Sequence, residues 1–182
     1  MSRISILNPG AESGVAIESY GLSADVGRPR LRVALVSNGF PDSTNFLTLV
    51  GEALSRRLPD AQILMFARLD PTVLAAAEVV AEIARSCDVA VTALGHCGSC
   101  TSSAVRDAVN LARAGVPAAA LISEKFWDAG VFNARSVGMP GVPRVRLPHP
   151  VAGTGQTRMA QIAKELCDDL LSAWSAAHAR AA

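Results

Sequence analysis

From residue 31 onward, short apolar runs alternate with longer stretches whose apolar positions recur every three or four residues. The first class is the signature of buried strands and the second of amphipathic helices. Strands are predicted at 31–37 (LRVALVS), 61–67 (AQILMFA), 88–94 (DVAVTAL), 116–123 (VPAAALIS) and 142–148 (VPRVRLP). Helices are predicted at 43–58, 70–87, 102–115, 124–138 and 155–180. Ser43 or Thr44 would cap the first helix. Asp70 with Pro71 would open the second, and Gly115 would stop the third. Residues 1–30 are rich in Gly and Ser and have no clear period. They are read as an N-terminal arm, with one short strand at 4–7, that wraps its own domain or packs on a neighbour.

Strands alternating with helices imply a mostly parallel sheet covered on both faces. The expected fold is α/β: one doubly wound, five-stranded, flavodoxin-like or Rossmann-like three-layer domain over 31–182. The expected strand order is 2-1-3-4-5. Nothing in the pattern suggests a repeat or a second domain.

Composition narrows the function. The chain has 182 residues, is half hydrophobic and carries a net charge of +1, so it offers no electrostatic case for nucleic acid or an anionic membrane. Aromatic residues are only 4%, too few for base-stacking platforms. No apolar run reaches the roughly 18 residues that span a bilayer, and the N-terminus has no secretory core, which makes the cytosol the expected compartment. There cysteines stay reduced unless they are catalytic or bind metal. Cys87 and Cys167 fall inside helical patterns and are read as small buried residues.

Ligands of open α/β sheets bind at the carboxyl ends of the strands. Those ends hold Ser37-Asn38-Gly39, Gly95-His96-Cys97-Gly98-Ser99-Cys100-Thr101, Ser123-Glu124-Lys125 and Pro148-His149-Pro150. Cys97 lies just before a helix and Cys100 in its first turn, where free N–H groups and the dipole lower a thiol pKa. The CxxC spacing leaves four readings open: a redox pair, a metal clamp, a nucleophile with a helper, or two small residues at a tight turn. His96, His149 and the two cysteines could form a Cys2His2 set. No second paired motif supports zinc, and adjacency of His96 to Cys97 makes joint chelation awkward, so no metal is expected. His149, held between two prolines, suits acid–base work, whereas His178 lies in a polar tail. Ser37, Asn38 and Gly39 could present donors to a carboxylate or an oxyanion, or form an ordinary turn. Gly95 and Gly98 fit a loop that a ligand approaches closely. Ser99, Thr101, Ser102 and Glu124 complete the candidate lining, with Thr101 and Ser102 equally able to cap the helix. With no GxGxxG or P-loop pattern, no nucleotide cofactor is expected.

The segment TALGHCGSCTSSAVRDAVNLARAGVPAAALISEKF resembles the UGSC family, named for a motif with selenocysteine in some members and cysteine in others. The family pattern Gly-Asp-Sec/Cys-Gly-Ser-Cys-Thr reads here Gly95-His96-Cys97-Gly98-Ser99-Cys100-Thr101. The similarity extends to VALVSNGFPDSTNFL, to SVGMPGVPRVRLPHP and across most of residues 31–152. The resemblance implies that Cys97 occupies the selenocysteine position and leads the chemistry, with Cys100 as partner. His96 replaces the family aspartate and would turn a negative neighbour of the thiol into a potentially positive one.

The expected function is cofactor-independent, covalent thiol catalysis on a small, carboxylate-bearing electrophile, of lyase, hydratase, isomerase or dehalogenase type. Paired cysteines on one carbon, as in aspartate/glutamate racemase-like enzymes, are a fold-level analogy. The alternatives are a thiol–disulfide oxidoreductase using Cys97 and Cys100, and a non-catalytic metal-holding or interaction subunit. The expected partners are a small-molecule substrate and a second copy in a homodimer supported by the arm and the C-terminal helix.

Overall fold

The apolar runs become strands because they are rich in Val, Ile, Leu and Ala and are bounded by turn residues, and in a sheet with two covered faces both sets of alternating side chains must be apolar. The computed structural model describes residues 14–175, so the strand expected at 4–7, the arm's first residues, His178 and the end of the C-terminal helix lie outside the described residues. The elements, in order, are β1 (Arg32–Ser37), α1 (Ser43–Arg57), β2 (Gln62–Ala67), α2 (Ala77–Ser86), β3 (Val89–Gly95), α3 (Gly98–Arg113) and β4 (Ala118–Ser123). A 3-10 turn (Glu124–Phe126), α4 (Trp127–Ser136), β5 (Arg144–Leu147), α5 (Gln156–Glu165) and α6 (Cys167–Ser175) complete the chain. All five strands of the sheet are parallel, as the pattern predicts, and their order is β2-β1-β3-β4-β5, the same as the expected one although the pattern itself does not fix it. β1 pairs with β2 on one side and β3 on the other. The winding therefore reverses between β1 and β3, the place at the carboxyl edge where ligands of open α/β sheets bind.

Each face has its own apolar cluster. One gathers Phe46, Leu47, Leu54, Ile162, Leu170 and Trp174 from α1, α5 and α6. The other gathers Ile83, Val105, Val109 and Ile122 with α2, α3 and α4. Both flank the central strand β3, which is buried at every position. Gly115 ends α3 in the left-handed region (φ 86°), the conformation expected of a helix-stopping glycine. Cys87 and Cys167 are buried, 5% and 6% exposed.

Four local expectations are corrected. The N-cap position of α1 is Asp42, not Ser43 or Thr44, and no side chain caps the helix there. The Asp42 backbone is left-handed (φ 64°), and its carboxylate accepts from Gly153 N at 2.8 Å instead of capping. α2 starts at Ala77, seven residues after Asp70. Asp70 closes a local turn on Thr72 N (2.8 Å), and Asp107 of α3 holds the segment open by accepting from Ala75 N (2.9 Å) and Arg68 Nη2 (2.6 Å). The fourth helical stretch begins as a 3-10 turn. The C-terminal stretch divides at Leu166 into α5 and α6, and Leu166, Leu170 and Trp174 all remain in the core.

Residues 14–30 lie against their own chain. Glu18 N donates to Gly138 O (2.6 Å), the Glu18 carboxylate pairs with Arg113 (2.6 Å), Tyr20 is 4% exposed, and Ala24 N donates to Trp174 O (2.8 Å). Large apolar side chains left open lie on this segment (Ile17, 59% exposed), on the β2–α2 connection (Leu69, 97%) and on α4 (Phe132, 71%). Among the described residues no helix is long and apolar enough to cross a membrane.

Candidate active site

The β3-to-α3 turn brings both cysteines to the sheet's carboxyl edge. Cys97 has extended backbone (φ −141°, ψ 177°) and serves as the N-cap of a sixteen-residue helix. Its Sγ accepts from Cys100 N at 3.3 Å, while Cys100 Sγ accepts from Cys97 N at 2.7 Å and from His96 N at 3.4 Å. This is a capping box built with sulfur, which satisfies donors that a helix start leaves free. Thr101 and Ser102 therefore do not cap: Thr101 N donates to Cys97 O at 3.0 Å, inside the first turn. Cys97 is half-buried and Cys100 fully buried. The two are joined as a disulfide in this structure, with Cα atoms 5.4 Å apart.

Four aromatic rings line up across the edge, one from each of four loops. Phe40 follows β1, His96 follows β3, His149 follows β5 and Phe126 follows β4. Phe40 and His96 centroids are 5.3 Å apart, His96 and His149 are stacked at 4.5 Å, and His149 and Phe126 are 6.0 Å apart. His96 Nε2 accepts from Val151 N at 3.0 Å, so in the neutral ring the proton sits on Nδ1. Burial, and next the neighbouring His149, push the pKa of His96 below the ordinary imidazole value. His96 is therefore neutral at pH 7 and does not bring the positive charge that its place beside the thiol suggests. His149 Nδ1 meets the buried Ser123 Oγ at 3.2 Å, and its Nε2 makes no hydrogen bond with a described residue.

The other expected site residues separate into braces and lining. Asn38 is fully buried; its Nδ2 donates to Leu94 O (3.2 Å), Cys100 O (3.1 Å) and Ser103 Oγ (3.3 Å), and its Oδ1 accepts from Leu94 N (2.9 Å) and Phe40 N (3.2 Å). Ser37 Oγ is shared with Ser43 Oγ and Thr44 Oγ1, both at 2.8 Å. Gly39 N faces Ser37 Oγ at 3.4 Å, and Asn38 N donates to Ala93 O at 2.7 Å. These groups lock the β1 and β3 loops together, so their polar atoms are engaged within the protein. Gly39 (φ 80°) is required by close approach, since a Cβ would lie 2.5 Å from Arg68 O. Gly95 is packed against Ile122, whereas Gly98 is exposed and has open space around it. Ser99 is exposed, with Oγ 3.6 Å from Cys97 Sγ. Thr101 Oγ1 is buried with no partner among the described residues, Ser102 is half-buried, and Glu124 is exposed at the 3-10 turn.

Sequence reasoning missed Phe40, Phe126 and Val151 as contributors, and it named Ser123 at its strand end without giving it a role. A usable signal existed for the two phenylalanines: the chain has only five, and each of these two lies three residues after a strand end. Val151 acts through its backbone N–H, which side-chain chemistry does not advertise. Among the described residues no group of three or more His, Cys, Asp or Glu side chains gathers at metal-binding spacing. One cavity of about 500 Å³ borders β5, and one of about 490 Å³ lies at the carboxyl ends of β1 and β2 under the β2–α2 connection, with Ser37 and Arg68 in its lining.

No curated protein matches the chain. The sequence profile of one family does, over residues 6–176, nearly the whole length and including the Gly95–Thr101 motif: the chain belongs to the UGSC family.

Proposed function

We propose that this protein is a cofactor-independent, cysteine-dependent enzyme in which Cys97 Sγ attacks a small, carboxylate-bearing electrophile. The observation that carries the reading is the position of Cys97. It is the accessible member of the pair, at the N-terminus of a long helix, and its chain neighbour His96 stacks on His149, whose Nε2 has no hydrogen-bond partner among the described residues. A helix N-terminus favours the thiolate, and the thiolate is the reactive form.

In this reading Ser123 accepts from His149 Nδ1–H, which leaves the Nε2 lone pair to take the Cys97 proton. The sulfur pair then forms an S–C bond to the electrophilic carbon. The displaced electron pair goes to the leaving group or to the adjacent unsaturated atom, and His149 Nε2–H returns the proton there. His96 acts as a neutral wall: its Nε2 is occupied by Val151 N, so of the two imidazoles only His149 exchanges protons with the substrate. Cys100, sealed behind Cys97, supports the turn. The reading includes a homodimer and no resident cofactor.

A second reading is favoured by the Cys97–Cys100 contact. As a dithiol–disulfide couple, Cys97 would attack a substrate disulfide and Cys100 would then displace the substrate sulfur. Two electrons pass to the substrate, and a thiol reductant is needed to restore the pair.

The test starts from fully reduced protein treated with a carboxylate-bearing electrophile such as iodoacetate, with adducts mapped by mass spectrometry. Covalent catalysis predicts selective Cys97 adducts in both native protein and Cys100→Ser. Modification of Cys87 or Cys167 at a rate comparable to Cys97 would refute the assignment. Turnover of a disulfide substrate by the native protein, lost in Cys100→Ser, would select the second reading.

A further inference from the structure

The outer edge of β5 carries a cavity of about 500 Å³ that the thiol chemistry does not use. It is lined by Trp127 at the start of α4, by Arg144 and Arg146 of β5, and by Asp169 and Ser172 of α6. β5 alternates its faces, so Val145 and Leu147 enter the core while Arg144 and Arg146 share the opposite face. The guanidinium of Arg146 lies over the Trp127 ring at 4.4 Å, and that of Arg144 at 5.9 Å from the same centroid.

Neither arginine has a carboxylate within ion-pair distance among the described residues, and Asp169 pairs with neither. Arg144 is half-buried; Nη1 donates to Pro140 O (3.1 Å) and Val142 O (3.0 Å), Nη2 donates to Pro140 O (3.2 Å), and its buried Nε has no partner among the described residues. Burial lowers its pKa, and no acidic group offsets that effect. A half-buried cation without a counter-charge is unfavourable by itself and becomes favourable when an anion arrives. Arg146 adds what recognition needs. An arginine stacked on an indole has its fork held in one orientation, so less freedom is lost on binding. Arginines on an edge strand also discourage strand-to-strand pairing, but that role requires neither the stack nor the orphaned Nε.

We propose that the β5 edge is a binding site for a small oxyanion, a carboxylate or a phosphate monoester, held by Arg146 with Arg144 supplying uncompensated positive charge and Trp127 orienting the fork. The site is independent of the thiol reading.

Trp127 is its own reporter, because the other tryptophan, Trp174, is fully buried. Inorganic phosphate and, separately, acetate are titrated into the full chain at constant ionic strength while tryptophan fluorescence is followed. Saturation at about 1 mM or below with either anion is expected, and the two arms distinguish phosphate from carboxylate. In Arg146→Gln, a surface change whose fold is verified by circular dichroism, the half-saturation point should rise at least about tenfold. A response that fails to saturate with both anions, or that is unchanged in Arg146→Gln, overturns the proposal. Unchanged Cys97 alkylation in Arg146→Gln keeps this outcome separate from the fate of the thiol reading.

Discussion

β3 has a cysteine at each end, and the two sit in opposite electrostatic settings. Cys87 precedes the strand at the C-cap of α2, where orphan carbonyls give negative potential, and Asp88 follows it immediately. Burial raises its thiol pKa, and the Asp88 charge acts in the same direction. Asp88 itself is kept ionised by Arg32, whose Nη2 is 2.9 Å away, and by Arg28 at 3.2 Å. Cys97 follows the strand at the N-cap of α3, half-buried, with the Cys100 backbone N–H donating to its sulfur. Two residues of the same type, a strand length apart, thus differ in helix polarity and exposure, and under the proposed function that difference sets one toward inertness and the other toward reactivity.

The largest effect that tests this contrast is chemical selectivity. In reduced protein at pH 7, Cys97 should alkylate on the order of 100-fold faster than Cys87, and Cys97→Ser should abolish the fast phase; peptide mapping over time reads both. Comparable rates would erase the distinction between the ends. Next, His149→Gln should slow modification or turnover by about 100-fold and Ser123→Ala by about tenfold, with the pH profile displaced in both; the pH dependence of the Cys97 rate checks this. An unchanged profile in Ser123→Ala would remove Ser123 as the group that orients His149.

Stability offers a third handle. Asn38→Ala removes five contacts that hold the reactive end together and should cost about 3 kcal/mol in urea denaturation. Asp88→Asn at the quiet end should cost about 1 kcal/mol, since its arginine partners are partly exposed. A fourth is pH. The folded pKa of His96 lies below its unfolded value, so the unfolded chain binds more protons between the two values. His96 thus contributes stability above the unfolded pKa of about 6.5, and this is lost as pH falls through the folded pKa. Thermal melts from pH 7.5 to 5 should decline, and His96→Asn should flatten that decline. The smallest effect is Cys87→Ala, which should leave thiol chemistry unchanged and cost about 1 kcal/mol of packing.

The sequence was most informative where the physics is local. Hydrophobic period and turn residues are properties of consecutive positions, so the five strands, their alternation with helices and the loop that carries the cysteines could all be read directly. The late start of α2 could not, because Asp107 acts on Arg68 across 39 positions and on Ala75 across 32. The roles of His96 and Asn38 were hidden for the same reason: their partners Val151 and Leu94 lie 55 and 56 positions away.

What the chain determined by itself was a parallel α/β sheet with polar and reactive residues at its carboxyl edge, and, through the Gly95–Thr101 motif, its family. What only the tertiary structure decided was the division of labour at that edge. It made Asn38 a brace, tied His96 to Val151 and His149 to Ser123, and left Cys97 half-buried while closing Cys100. The physical reason is that a polar side chain has only as much chemistry to offer as its hydrogen bonds leave free, and those bonds are made between loops that meet only when the sheet has formed.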